Sequence, residues 1–237
     1  MTTLIIATRN QHKAREIRAV LGERFAYLTL ADFPDAPKVA EDAHAFAGNA
    51  AKKAVELARW LAASLCCPAR ATTLVLADDS GLEVDALGGE PGVHSARFAS
   101  PAHGGTGNAT DADNNAKLLH LLKDVPPAER GARFRCVIAL AETPPAAGAT
   151  GASAGRPGEV QVRLFEGICE GHILFAPRGQ GGFGYDPLFQ PEGFAAAFAE
   201  LGQSVKNQIS HRARALAKLK EWLDGWAGGR PLVGQSD

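Results

Sequence analysis

Leu4, Ile5, Ile6 and Ala7 form an unbroken apolar run, which predicts a buried strand. A polar loop over residues 8–13 follows, and then Ile17, Val20 and Leu21 recur at helical spacing. A longer helix is predicted from about residue 46 to 65, with Phe46, Ala50, Ala54, Leu57, Leu61 and Leu65 as its stripe. Leu74, Val75, Leu76 and Ala77 read as a second buried strand that ends abruptly at Asp78-Asp79-Ser80-Gly81. A third helix is predicted over 112–123, carrying Leu118, Leu119, Leu121 and Leu122, with Thr110 or Asp111 as its cap. Phe134, Cys136, Ile138 and Leu140 alternate with other residues, as do Val160, Val162 and Leu164, which predicts a half-exposed antiparallel pair. Between them, residues 143–158 are rich in Pro, Gly, Ala, Ser and Thr and read as a mobile hairpin insertion. Ile173, Leu174 and Phe175 would extend the sheet. A last helix begins near Ser210 and sets Leu216, Leu219, Leu223 and Trp226 on one face, before a frayed tail from Gly228. Strands and helices alternate early and hairpins dominate later, so the fold class is α/β, a mixed twisted sheet with flanking helices.

Composition narrows what this fold does. The 237 residues suit one large domain, or one with a small lobe, and we expect a single domain over 1–227 with 228–237 as a tail. A formal net charge of −1 leaves no broad basic surface, which argues against binding nucleic acid along its phosphate backbone. A few local cations would still suffice for a single nucleotide. The start of the chain lacks the charged-then-apolar pattern of a signal peptide, and no apolar stretch approaches the ~20 residues of a membrane span. Cys66, Cys67, Cys136 and Cys169 show neither CxxC spacing nor a disulfide framework, as expected of reduced thiols in a cytoplasmic protein.

Five places can carry chemistry. Thr8, Arg9, Asn10, Gln11, His12 and Lys13 join a strand to a helix start, where unpaired N–H groups and the helix dipole favour an anion. The loop lacks the glycines of a Walker A or dinucleotide fingerprint, and an ordinary polar loop capped by Asn10 fits the same residues. Lys53 falls at the edge of an apolar stripe with Asn49 one turn earlier, so it either snorkels or meets an anion. Just ahead stand Glu41 and Asp42 in a segment without period. Asp78 and Asp79 are adjacent carboxylates at the end of an apolar strand, where ligands of α/β sheets bind. They repel unless a cation neutralises them, and hard oxygen ligands suit Mg2+. A turn closing a hairpin is the alternative there.

The fourth place is the glycine-rich run that holds Phe183, Gly184, Tyr185 and Asp186, where glycines allow close approach and the aromatic faces suit a base. The alternative is that these aromatics pack into the core. The fifth is Lys206 with Ser210, His211 and Arg212, since basic groups at a helix N-terminus oppose its dipole.

In this order, these segments closely resemble the inosine/xanthosine triphosphate pyrophosphatase family. The match runs through Leu4 to Thr8, Asn10, Lys13, Asn49-Ala50 and Lys53. It continues through Ala77-Asp78-Asp79-Ser80-Gly81-Leu82-Glu83-Val84-Asp85-Ala86-Leu87-Gly88-Gly89, Pro91-Gly92 and Ser95-Ala96-Arg97. It ends with Gly182-Phe183-Gly184-Tyr185-Asp186-Pro187 and Ser210-His211-Arg212. The resemblance implies an elongated two-lobed α/β fold around a central cleft, usually a homodimer. It also implies Mg2+-dependent hydrolysis of ITP, dITP and XTP to monophosphate and pyrophosphate. By the same resemblance, Thr8, Arg9, Asn10, Gln11, His12, Lys13 and Lys53 would hold the triphosphate. Glu41 and Asp79 would bind the metal, and Asp79 would activate water. Ser80 would touch substrate, and Phe183, Gly184, Tyr185, Asp186, Lys206, His211 and Arg212 would surround the base and sugar. Arg9 stands where the family usually has Gly, and Gly48 where an acidic residue commonly precedes Asn49. A hydrolase of other nucleotides or phosphate esters, or a non-catalytic nucleotide-binding module, would share much of this chemistry.

Overall fold

The computed structural model describes residues 2–64, 73–100, 107–143 and 160–226. Six strands form one mixed sheet in the order β2-β1-β3-β4-β5-β6. They are β1 (Thr3–Ile6), β2 (Ala26–Thr29), β3 (Thr73–Val84), β4 (Gly131–Glu142), β5 (Val162–Ile173) and β6 (Phe189–Pro191). The helices are α1 (Gln11–Leu21), α2 (Phe46–Ala63), α3 (Asp111–Leu121), α4 (Phe198–Ile209) and α5 (His211–Gly225). β1 pairs in parallel with both β2 and β3, while β5 and β6 pair antiparallel. Among the described residues no helix is long and apolar enough to cross a membrane.

The chain divides into two compact units. The first comprises the described parts of 1–79, 137–166 and 215–237, the second those of 80–136 and 167–214. In the first, Leu4, Ile5 and Ile6 of β1, Ile17 of α1, Leu57 and Leu61 of α2, and Leu74 to Leu76 of β3 are all buried. The chain passes from β1 through α1 to β2, and from β2 through α2 to β3 on the other side of β1. Right-handed crossovers in opposite directions put α1 on one face of the sheet and α2 on the other. All predicted stripe positions of α2 up to Leu61 are buried, and Leu65 lies outside the described residues. The second unit has its own core, with Leu82, Val84, Leu118, Leu122, Phe134, Phe189 and Phe198 at its centre.

The structure corrects four sequence expectations. β3 does not end at Asp78: it runs on through Asp79, Ser80 and Gly81 to Val84, with Leu82 and Val84 fully buried. Distant partners of the two carboxylates make this burial tolerable. β4 alternates as expected only as far as Cys136; from Val137 to Ala141 every residue is buried, so Ile138 and Leu140 lie in a stretch covered on both faces. β5 has the opposite phase from that expected. Phe165, Cys169 and Ile173 face inward, whereas Val162 is half-buried and Leu164 exposed. Phe165 meets the Trp222 ring at 6.0 Å, which fixes that phase. Ile173 is simply the end of β5, and Phe175 beyond it is exposed beneath the Arg130 guanidinium.

α4 has no counterpart in the sequence expectations, although Phe198, Leu201, Val205 and Ile209 recur at helical spacing; it precedes α5, whose first turn is capped by Ser210 through Ala213 N–H. Thr110 caps α3 by accepting from Asp113 N–H at 3.1 Å. Of the insertion at 143–158 only Thr143 is described, bonded to the Thr73 carbonyl; Cys66, Cys67 and the tail from Gly228 also lie outside the described residues. Cys136 and Cys169 are buried free thiols.

Candidate active site

Chain alternation in β3 sends Asp78 and Asp79 to opposite faces, so the two carboxylates do not confront each other. Each finds a lysine on the helix covering its own face. Lys13 of α1 donates to Asp78 Oδ1. Lys53 of α2 donates to Asp79 Oδ1 at 2.9 Å and to the Asp78 carbonyl at 2.8 Å. Lys53 therefore meets an anion rather than snorkelling, and its Nζ also lies 3.6 Å from Glu41 Oε1. Asn49, buried one turn before Lys53, donates from Nδ2 to Asp79 Oδ2 at 3.2 Å. Both oxygens of Asp79 are thus engaged, and the side chain is only 8% exposed. Burial pushes the Asp79 carboxyl above the ordinary carboxylate range; Lys53 and Lys13 pull it down less than burial raises it, and Glu41 adds to the rise.

The loop at 8–13 is arranged by its own side chains. Thr8 Oγ1 accepts from Asn10 N–H at 3.0 Å, and Asn10 Oδ1 accepts from His12 and Lys13 N–H at 2.9 and 3.2 Å. Asn10 is therefore the cap of α1 and already satisfies two of the N–H groups that a bare helix start would offer. Arg9, Gln11 and His12 are exposed, and His12 Nδ1 lies 3.3 Å from the Arg15 guanidinium.

The second unit gathers the remaining candidates. Ser80, the chain neighbour of Asp79, accepts from Arg212 Nη2 at 2.9 Å, and Arg212 is 1% exposed. The loop from Gly182 to Asp186 is tied together by Asp186, whose Oδ2 accepts from Phe183 N–H at 2.8 Å and from Lys206 Nζ at 2.5 Å. Gly182 adopts φ +75°, and a Cβ there would run into the Asp186 carboxylate, so only glycine closes this turn. Lys206 Nζ sits 4.4 Å from the centre of the half-buried Phe183 ring, and the Arg212 guanidinium 5.9 Å from it. Tyr185 is packed into the core: it is 4% exposed and its hydroxyl donates to the Ser95 carbonyl at 2.9 Å. Of the two aromatics, Phe183 is the less buried. His211 is also buried, stacked on Phe134 at 4.8 Å with 13° between the rings.

Several residues of this chemistry are not visible as candidates in the sequence. Asn49 stood there as a neighbour of Lys53 and is revealed as the orienting group of Asp79. Asp111 and Asn115, one turn apart on α3, grip both polar groups of the Gly184 backbone. Asp111 Oδ2 accepts its N–H at 2.6 Å and Asn115 Nδ2 donates to its carbonyl at 3.0 Å. The signal available for them was their i, i+4 spacing on one helix face, which names no partner.

The profile of the Ham1 family matches residues 4–222. The chain belongs to the Ham1 family. A Ham1 relative from Geobacter sulfurreducens, called a dITP/XTP pyrophosphatase, is 49% identical over 96% of this chain and 99% of that protein. One of the same description from Geobacillus kaustophilus is 45% identical over 97% of this chain and 98% of that protein. Among solved structures, the HAM1 protein of Coxiella burnetii superposes with a TM-score of 0.74 at 32% identity, covering 95% of this chain and all of that one. The Ham1 match thus takes in Thr8 at one end and Arg212 at the other.

Among the described residues no group of three or more His, Cys, Asp or Glu side chains converges on a cation position. Glu41 and Asp79 alone offer two hard oxygen donors that converge on the same ammonium, Lys53 Nζ, at 3.6 and 2.9 Å. A pair of carboxylates fits Mg2+, which commonly keeps water and substrate phosphate oxygens in its remaining positions.

Proposed function

We propose that this chain hydrolyses non-canonical purine nucleoside triphosphates (ITP, dITP and XTP) to the monophosphate and pyrophosphate. The observation that carries the reading is Asp79. It is a buried carboxylate fixed by Lys53 and Asn49, in a chain 49% identical over nearly its whole length to a dITP/XTP pyrophosphatase. Residues 1–227 are read as one catalytic domain, since the family match spans 4–222. Partner and place are read in the same way: a homodimer, in the cytoplasm, acting on a small-molecule nucleotide and not on nucleic acid.

The roles follow from each group's surroundings. Asp79 orients and deprotonates the attacking water at the α-phosphorus. Asn49 holds the carboxylate plane. Lys53 and Lys13, together with the start of α1 at residues 8–13, stabilise charge growing on the phosphoryl and pyrophosphate oxygens. Glu41 and Asp79 would hold Mg2+, which when bound would supply Lewis-acid stabilisation of the phosphate oxygens and a lowered pKa for water. In the second unit, Phe183 offers a stacking face, and Lys206, His211 and Arg212 are donors for the base and sugar side, with Ser80 beside Arg212. Inosine and xanthosine carry a keto oxygen at position 6 where adenosine has an amino group. A donor there is left unpaired by adenine, and such a mismatch rejects more strongly than an apolar pocket does.

A substrate panel with Mg2+ tests the reading by measuring pyrophosphate and free phosphate from ITP, dITP, XTP, ATP and GTP. Pyrophosphate from the first three, in clear excess over the last two, is expected. Equal turnover of ITP and ATP, or free phosphate as the product, would overturn it.

A further inference from the structure

The acidic segment before α2 packs on that helix at a residue without a side chain. Gly48 is the third residue of α2, and a Cβ built there would lie 2.7 Å from the Cβ of Ala43, far inside van der Waals contact. The neighbouring residue fastens the same segment: Asn49 Oδ1 accepts from Ala43 N–H at 3.0 Å, and its Nδ2 reaches the Ala43 carbonyl at 3.5 Å. The same Nδ2 holds Asp79 Oδ2 at 3.2 Å. Two residues before Ala43, Glu41 Oε1 lies 3.6 Å from Lys53 Nζ, which in turn donates to Asp79. Glycine weakens a helix interior relative to alanine, so helix formation gives no reason for it here. The close approach of Ala43 does.

We propose that Gly48 is a positioning residue of the metal end and that Ala43 is its steric partner. The bare Cα at 48 lets residues 41–43 lie on α2, and that seat carries the Glu41 carboxylate to Lys53 and Asp79. This inference rests on the reading of Glu41 and Asp79 as the metal ligands.

The test uses the full chain as Gly48→Ala, Ala43→Gly and the double variant. Mn2+ binding is read by titration calorimetry without nucleotide, half-saturating Mg2+ in ITP hydrolysis, and Tm by thermal melting. Gly48→Ala is expected to weaken Mn2+ binding and raise half-saturating Mg2+ about tenfold, the scale of losing a group that orients a metal ligand. Its kcat at saturating Mg2+ should stay within about threefold of the parent, because the ligands themselves remain. Adding Ala43→Gly should restore both metal readouts to within about threefold, since it removes the colliding atom. Wild-type metal binding in Gly48→Ala, or a double variant as impaired as Gly48→Ala, overturns the proposal. If Gly48→Ala alone fails to fold, recovery of folding in the double variant supports the steric pair and continued failure overturns it. Glu41→Gln separates this from the reading beneath it: unchanged Mn2+ binding there removes Glu41 as a ligand, whereas mutual rescue of 43 and 48 in Tm is decided independently.

Discussion

Asp79 is a buried acid whose two oxygens are both spoken for, one by an ammonium and one by an amide. Asp79→Asn keeps the size of the side chain and removes its charge and basicity. It is expected to lower kcat/KM for ITP by about a thousandfold or more while the circular dichroism spectrum is retained. A folded variant with near-parental pyrophosphate release would remove Asp79 from the chemistry. A second buried acid acts on stability instead. Burial pushes the Cys169 thiol from its ordinary 9.0 up to about 11. A group whose folded pKa is raised contributes stability that is complete below its ordinary range and is lost as pH rises through the folded value. Tm should therefore decline between pH 9 and 11, and Cys169→Ala should flatten that decline. Some slope should remain, because burial also pushes the Tyr27 phenol up to about 12. Identical slopes in parent and variant would show that the thiol does not contribute. At this scale the sequence named Lys13, Lys53 and Asp79 by type and place. It could not show that Tyr185 spends its hydroxyl on Ser95 in the core, because that contact joins positions far apart in the chain.

Four of the five described helices were legible from their apolar spacing. α1, α2 and α5 bury most of the positions their spacing marks, whereas α3 buries Leu118 and Leu122 and leaves Leu121 exposed. α4 carries Phe198, Leu201, Val205 and Ile209 at helical spacing, but Gly202 sits within it at φ +76° and interrupts the helix that this stripe would announce. Its one buried cation is held by Asp186, which reads as part of a turn. β3 was cut short for a related reason: a pair of aspartates ends an apolar run unless lysines on two separate helices receive them. The first turn of α3 shows how an element serves a site it does not enter, since Asp111 and Asn115 hold the Gly184 backbone from both ends. Removing both side chains loses two hydrogen bonds of about 1 kcal/mol each. Asp111→Ala/Asn115→Ala should therefore raise KM for ITP about tenfold or more while half-saturating Mg2+ stays put. Steady-state kinetics at several Mg2+ concentrations separates the two; a shift in the metal requirement alone would place the clamp elsewhere in the mechanism.

At the level of the whole chain, three long strands, β3, β4 and β5, each contribute residues to both compact units. The α/β class and the mixed sheet were readable from the early alternation of strands and helices. The division at Asp79, Cys136 and Glu166 was not, because it falls inside continuous strands rather than at linkers rich in Gly or Pro. The pairing of Lys13 with Asp78 and of Lys53 with Asp79, with Lys52 on Asp42 at 2.8 Å, has a consequence for how fast substrate arrives. Each of these cations is already matched by a carboxylate, and the chain as a whole carries a net charge of −1. A polyanion approaching from solution meets little attractive field from them beyond a Debye length of about 10 Å. Arg9, exposed at the start of α1, has no carboxylate partner among the described residues. Encounter should thus be steered weakly and chiefly through Arg9, so that kcat/KM for Mg2+-bound ITP falls less than about tenfold between roughly 20 and 200 mM salt. Arg9→Gly should remove most of that dependence, lowering the low-salt value toward the high-salt one; an unchanged salt profile would mean that capture draws its charge from the metal that the nucleotide brings with it.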